Sequence, residues 1–243
     1  ALDLAPEAFI SFIQNHDQIA NSGRGARCHL LSSPGRYRAM TALLLLGPAT
    51  PLLFQGQEFC ASAPFLYFAD HEPELARSVS RGRREFLSQF PSLRSPEMGA
   101  CIPDPHEPST FEVCRLDLSE RESHAPAYAL HRDLLRLRRE DPVFRAQGAG
   151  GLDGAVLTPE AFVLRFFNEG DDRLLVVNLG RDLRLVPAPE PLLAPPADAC
   201  WEVLWSSEDP RYGGCGAPPP EDRDGGWRLP GQAAVVLRPK ERS

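Results

Sequence analysis

The chain is poor in lysine, in methionine and in positive charge. Lys240 is its only lysine, Met40 and Met98 are its only methionines, and 33 acidic residues against 26 basic ones leave a formal net charge of −7. A surface without a cationic excess argues against nucleic-acid or anionic-membrane partners, which are held by clustered basic side chains. Six cysteines are present, but there is no C-x-x-C pair and no histidine at ligand spacing. A zinc site or disulfide framework is therefore not expected, and reduced thiols are the simplest reading. The longest apolar stretch, Thr41 to Phe54, is broken by Gly47, Pro48 and Pro51 and is too short to span a bilayer. No basic segment followed by an apolar one opens the chain, so a cytoplasmic setting is expected; no metal and no organic cofactor is expected for the longer protein that would carry this chain. The chain opens at Ala1 and reaches an apolar strand by Phe9, with no preceding strand for it to pair with in parallel. The expectation is a later part of something larger.

What is there is ordinary globular material, 42% hydrophobic and 24% charged, enough for a core. The run Phe9–Gln14 reads as a buried strand that stops at Asn15, His16, Asp17 and Gln18, the kind of polar stop that parallel α/β folds place at the chemically useful end of a strand. A polar Gly/Arg loop, Ser22–Arg27, follows; Ser33-Pro34 then opens a helix over Tyr37–Leu46 that Gly47-Pro48 ends. Thr50–Glu58 is a second short strand, ending in Gln55, Gly56, Gln57 and Glu58. Pro64–His71 is rich in aromatic rings, with Phe65, Tyr67 and Phe68 as a candidate sugar platform or as core. Asp70 is expected to cap a helix from Pro73 to Phe90 whose arginines, Arg77, Arg81, Arg83 and Arg84, form a solvated face. Residues 91–121 read as a loop or insertion, and Glu122–Asp141 as an amphipathic helix ended by Pro142. Beyond residue 145 come short β-forming runs at 161–167, 174–178, 183–186, 201–204 and 233–237, with Pro187–Pro196 and Gly213–Pro220 as loops. That pattern predicts a small antiparallel sandwich.

Three segments in order carry a family resemblance. Phe12-Ile-Gln-Asn-His-Asp-Gln-Ile-Ala-Asn21 resembles the fourth signature region of the α-amylase superfamily (glycoside hydrolase family 13). Thr50–Phe59 is similar to the eighth strand of that family's barrel, and Pro64–Leu75 with Gly82–Phe86 narrows the likeness to a trehalose-releasing branch. The resemblance implies a fold of α/β plus all-β type. Residues 1–144 would be the C-terminal part of a (β/α)8 TIM barrel, its seventh and eighth strands with their helices, and residues 145–243 a β-sandwich. It also implies a retaining hydrolase that cleaves the α-1,4 bond beside the terminal trehalose of maltooligosyl trehalose, an α-glucan derivative. Asp17 matches the catalytic carboxylate that stabilises the oxocarbenium-like transition state. His16 matches a ligand of sugar hydroxyls, and Asn15, Gln18, Ile19, Ala20 and Asn21 belong to the stretch lining the substrate cleft. The physical warrant is that an ionised carboxylate at a rim stabilises positive charge on a sugar ring.

The family's nucleophile and general acid follow its fourth and fifth strands, upstream of everything in this chain, and Glu58 is expected to be a rim hydrogen-bonding residue and no substitute for them. The chain alone is therefore expected to be inactive, and its unpaired strand edge to favour aggregation. Two alternatives stay open: another α-amylase superfamily enzyme, such as a branching enzyme or trehalose synthase, and a non-catalytic carbohydrate-binding module.

Overall fold

Leu174–Val177 and Ala234–Leu237 are apolar at every position, not at every second one, and such strands need cover on both faces. They receive it. In the computed structural model, which describes residues 4–95, 97, 99, 102–216, 219–221 and 226–241, they lie beside each other in the middle of an antiparallel five-stranded sheet. Its strands are β3 (Leu152–Thr158), β4 (Ala161–Phe166), β5 (Arg173–Asn178), β7 (Ala199–Ser206) and β9 (Ala233–Glu241), in the order β3-β4-β5-β9-β7. A two-stranded sheet, β6 (Leu183–Leu185) with β8 (Trp227–Leu229), supplies Trp227 and Leu229 to a core shared with Val163, Leu174, Val176, Val235 and Leu237. The opposite face, with Leu175, Val177, Ala234 and Val236 fully or almost fully buried, is covered by helix α3 (Pro34–Leu46). Each such side chain contributes roughly 1.5–3 kcal/mol by leaving water.

Arginines fasten α3 at both ends. Arg36 donates to the carbonyl of Leu179, and Arg38 pairs with Glu208 and donates to Ser207. At its C-terminus Arg138 donates to the carbonyl of Leu45, in the last turn, and to those of Gly47 and Ala49 just after it. Arg138 belongs to α7 (Ala125–Glu140), whose buried Asp133 accepts from Tyr212 Oη at 2.9 Å. Burial, with Asp133 adding to it, pushes the Tyr212 hydroxyl up to about 12.

The strands expected at 9–14 and 50–58 shrink to a parallel pair, β1 (Ile10–Ser11) and β2 (Thr50–Pro51), joined by Thr50 N to Phe9 O and Leu52 N to Ser11 O. A ladder needs a partner at every residue, and pairing stops where this one ends. Ile10 and Phe12 stand exposed. Contacts group the described residues into two compact units. The first holds residues up to Ile13, Ser33–Leu52 and everything from Ala125; the second holds Gln14–Ser32 and Leu53–His124. The sequence boundary at 144/145 falls inside the first unit, within α8 (Pro142–Arg145) and ahead of β3. Both parallel strands lead along the chain into the second unit, at Gln14 and Leu53.

Several expectations need correction. The helix expected at 37–46 begins at Pro34, which suits a first helical turn. Asp70 caps nothing: α4 (Pro73–Leu87) starts after Glu72 without a side-chain cap. The helix expected at 122–141 is two pieces, α6 (Glu120–Ser123) and α7, with the break at His124 before Ala125-Pro126. Residues 91–121 are not all loop, since α5 spans Pro108–Glu112. Residues 96, 98, 100 and Cys101 of that stretch, and Ala217 and Pro218 of the loop expected at 213–220, lie outside the described residues. Strands β3 and β8 were not expected. Among the described residues no helix is long and apolar enough to cross a membrane.

Candidate functional site

The second unit carries every candidate site residue. Asn15 is the N-cap of α1 (His16–Ala20): its Oδ1 accepts from Gln18 N at 3.1 Å while Gln18 Oε1 accepts from Asn15 N at 3.0 Å. This reciprocal capping box engages the two amides in holding the turn. Ile19 and Ala20 point inward, 2% and 6% exposed. What the turn presents to solvent is His16 and Asp17, their side chains 66% and 72% exposed, with Nε2 and Oδ1 3.4 Å apart. Gln14, the residue before the turn, is buried and its Oε1 accepts from Cys28 N at 2.8 Å.

Arginines and backbone contacts stitch this turn to the segment after β2. Arg27 is fully buried; its Nε donates to Ala63 O at 2.6 Å and its Nη1 to Gln55 O at 2.8 Å, with the guanidinium over the Phe54 ring. Beside it, Gly25 accepts from Phe65 N at a point where a Cβ would come within 2.6 Å of Phe65 O; its φ of +64° is one that glycine adopts without strain. Burial first, then the charge of Arg27 and the neighbouring His124, pushes His29 down to about 4. Glu58 meets Arg121 at 3.5 Å, the rim hydrogen bonding expected of it.

The three candidate platform rings divide. Phe65 and Phe68 belong to an edge-to-face row running Phe54, Phe65, Phe68, Phe111 with centroids 5.0–5.9 Å apart, an arrangement that serves packing. Tyr67, 40% exposed, stands apart from that row with its ring 4.7 Å from the guanidinium carbon of Arg83. Arg83 also donates to Ala20 O at 2.8 Å and Asn21 Oδ1 at 3.1 Å. The expected solvated arginine face therefore holds for Arg77, Arg81 and Arg84 but not for Arg83. Spacing could have revealed it: Ala76, Ser80, Arg83 and Leu87 recur at four, three and four residues, one inward stripe of α4.

A carboxylate and an imidazole exposed on a capped turn can accept and donate hydrogen bonds to a polyol and stabilise nearby positive charge. Proton transfer to a leaving group together with nucleophilic attack needs a second pair of carboxyl groups.

Comparison with known structures defines the class first. The fold is that of α-amylase-type glycosidases: a Salmonella typhimurium structure provisionally described as an alpha amylase superimposes with TM-score 0.71 at 27% identity, over 96% of this chain and 36% of that one. An alpha-amylase from H. orenii shares the fold at TM-score 0.54 and 17% identity, over 95% of this chain and 40% of its own. Residues 149–236 match the family model described as Domain of unknown function (DUF3459). Within that class the chain is similar to relatives named malto-oligosyltrehalose trehalohydrolase. It is 45% identical to the enzyme of that name from Deinococcus radiodurans over 188 residues, which is 73% of this chain and 29% of the relative. The Saccharolobus solfataricus relative of the same name is 31% identical, over 57% of this chain and 22% of its own length. The chain thus spans 22–29% of the curated relatives it matches. The resemblance drawn from the signature segments is borne out.

Proposed function

We propose that this chain is the C-terminal part of a cytoplasmic retaining glycoside hydrolase that cleaves the α-1,4 bond beside the terminal trehalose of maltooligosyl trehalose and releases trehalose. The single observation that carries this reading is the 45% identity to a malto-oligosyltrehalose trehalohydrolase. The exposed His16–Asp17 pair on its capped turn is consistent with it. In this reading residues 1–144 complete a (β/α)8 barrel with its seventh and eighth strands, and residues 145–243 form the sandwich domain. Asp17 is the transition-state stabiliser, His16 a sugar ligand, and Asn15, Gln18, Ile19, Ala20 and Asn21 shape and hold the turn that lines the cleft. The nucleophile and general acid come from strands upstream, so the chain by itself is inactive.

The test is a product assay on the full-length protein that carries this chain. Trehalose released from maltooligosyl trehalose supports the reading; a branched glucan, or trehalose formed from maltose, would place the protein elsewhere in the superfamily. In-frame coding sequence upstream, with an Asp and a Glu after the fourth and fifth strands, is the second requirement. A start codon directly before Ala1 would leave a carbohydrate-binding module instead.

A further inference from the structure

One guanidinium touches both parts of the candidate site. Arg83 reaches the C-terminal end of the α1 turn through Ala20 O and Asn21 Oδ1, and lies 4.7 Å from the centre of the Tyr67 ring. A helix end favours a cation, and an aromatic face does too. The planar fork lets a single side chain satisfy both at once, which an ammonium on a flexible stem cannot do. Of the residues around Tyr67, Leu66 is buried, while Phe65 and Phe68 pack edge-to-face in the ring row with Phe68 36% exposed. Without Arg83 the ring would swing about its χ angles in solvent.

We propose that Arg83 is a positioning residue that fixes the Tyr67 ring relative to the His16–Asp17 turn, so that one face of the ring is backed by the guanidinium and the remaining exposed surface stacks on a glucose unit of the α-glucan chain. This rests on the reading of the site as an α-glucan hydrolase. Tyr67 is then the substrate-contacting residue and Arg83 acts through it. Phe65 and Phe68 pack edge-to-face in the ring row, and the guanidinium contact falls on Tyr67.

The experiment measures kcat and KM for maltooligosyl trehalose in the full-length protein, comparing wild type, Arg83→Lys, Tyr67→Ala and the double variant. Freeing the ring should raise KM roughly two- to thirtyfold in Arg83→Lys, the range that a cation–π contact corresponds to. In the Tyr67→Ala background the same change should move KM by less than about twofold, because contacts that work through one another are not additive. A merely structural Arg83 would lower kcat by reducing the active fraction and leave KM alone; that result, or KM effects that multiply in the double variant, overturns the proposal. Should Arg83→Lys melt far below wild type, Arg83→Gln, which keeps a donor for Ala20 O, is put through the same comparison and judged in the same way. If the wild-type protein neither releases trehalose nor binds maltooligosaccharide, the functional reading fails and the proposal falls with it. If the wild type does both and the Arg83 and Tyr67 effects multiply, only the proposal fails.

Discussion

Both compact units combine apolar burial with guanidinium clamps, and they differ in what those clamps hold. In the first, β5 and β9 bury apolar side chains on both faces, against β6 and β8 on one side and α3 on the other. In the second, Ile19, Phe59, Leu66, Leu87, Leu93 and Ile102 are buried. The segments that carry the candidate site are also tied by polar clamps onto main chain: Arg27 to Gln55 and Ala63, Arg83 to Ala20, and His124 to Phe59. Apolar burial is non-directional and tolerant, whereas a guanidinium held by carbonyls fixes angles. A surface that must present a carboxylate and an imidazole at set positions gains from the second kind of support, and the sheet unit gains from the first.

The largest effect that would sharpen this contrast is chemical. Asp17→Asn in the full-length protein keeps the shape and removes the charge, and should cut kcat by about two to three orders of magnitude. Its melting temperature should stay unchanged, since the side chain is mostly solvent-exposed. Near-normal turnover would remove Asp17 from the site. Leu237→Ala is the converse: it empties a fully buried place in the sheet core and should cost about 2–5 kcal/mol of stability, with turnover per folded molecule retained. Loss of turnover in proportion to nothing but Leu237 would show that the units are not separable.

Arg27→Met should be felt by the second unit first. It strips the donors from two main-chain carbonyls, at about 1–3 kcal/mol for each acceptor left unsatisfied. Hydrogen exchange should then accelerate in residues 14–32 and 53–124 while β5 and β9 stay protected. Simultaneous loss in both units would break the comparison. The smallest effect is that of pH. His29 in the folded chain sits at about 4, below its ordinary value of 6.5, because burial and Arg27 disfavour its charge. The unfolded chain therefore takes up the proton more readily. The contribution of neutral His29 is complete above about 6.5 and is lost as the pH falls toward about 4. The check is exchange in the second unit across that window, which should quicken on acidification in wild type and be flatter in His29→Gln.

Periodicity and turn chemistry made the sheet unit largely legible. The runs at 161–167, 174–178, 183–186, 201–204 and 233–237 all fall on observed strands. β3 escaped because it is an edge strand with Gly154 in it and a mostly exposed surface, so it shows no apolar alternation. β8 escaped because three residues, Trp227–Leu229, are too few for any period. The site was legible in part. The strand expected to run to Gln14 ends at Ser11, and the polar run at 15–18 is the cap and first turn of α1; it leaves His16 and Asp17 exposed. Asp70 misled because its type suits a cap, while the backbone begins α4 only after Glu72.

The sequence by itself determined the apolar strands, a helix over residues 37–46 and the polar run at 15–18, because those depend on local spacing and on which side chains avoid water. Only the tertiary structure decided which polar groups do what. It assigned Asn15 and Gln18 to each other, Arg27 to the carbonyls of Gln55 and Ala63, and Arg83 to Tyr67 and the α1 turn. Hydrogen bonds between residues far apart in the chain are set by distance and angle in space, and no pattern along the sequence encodes them.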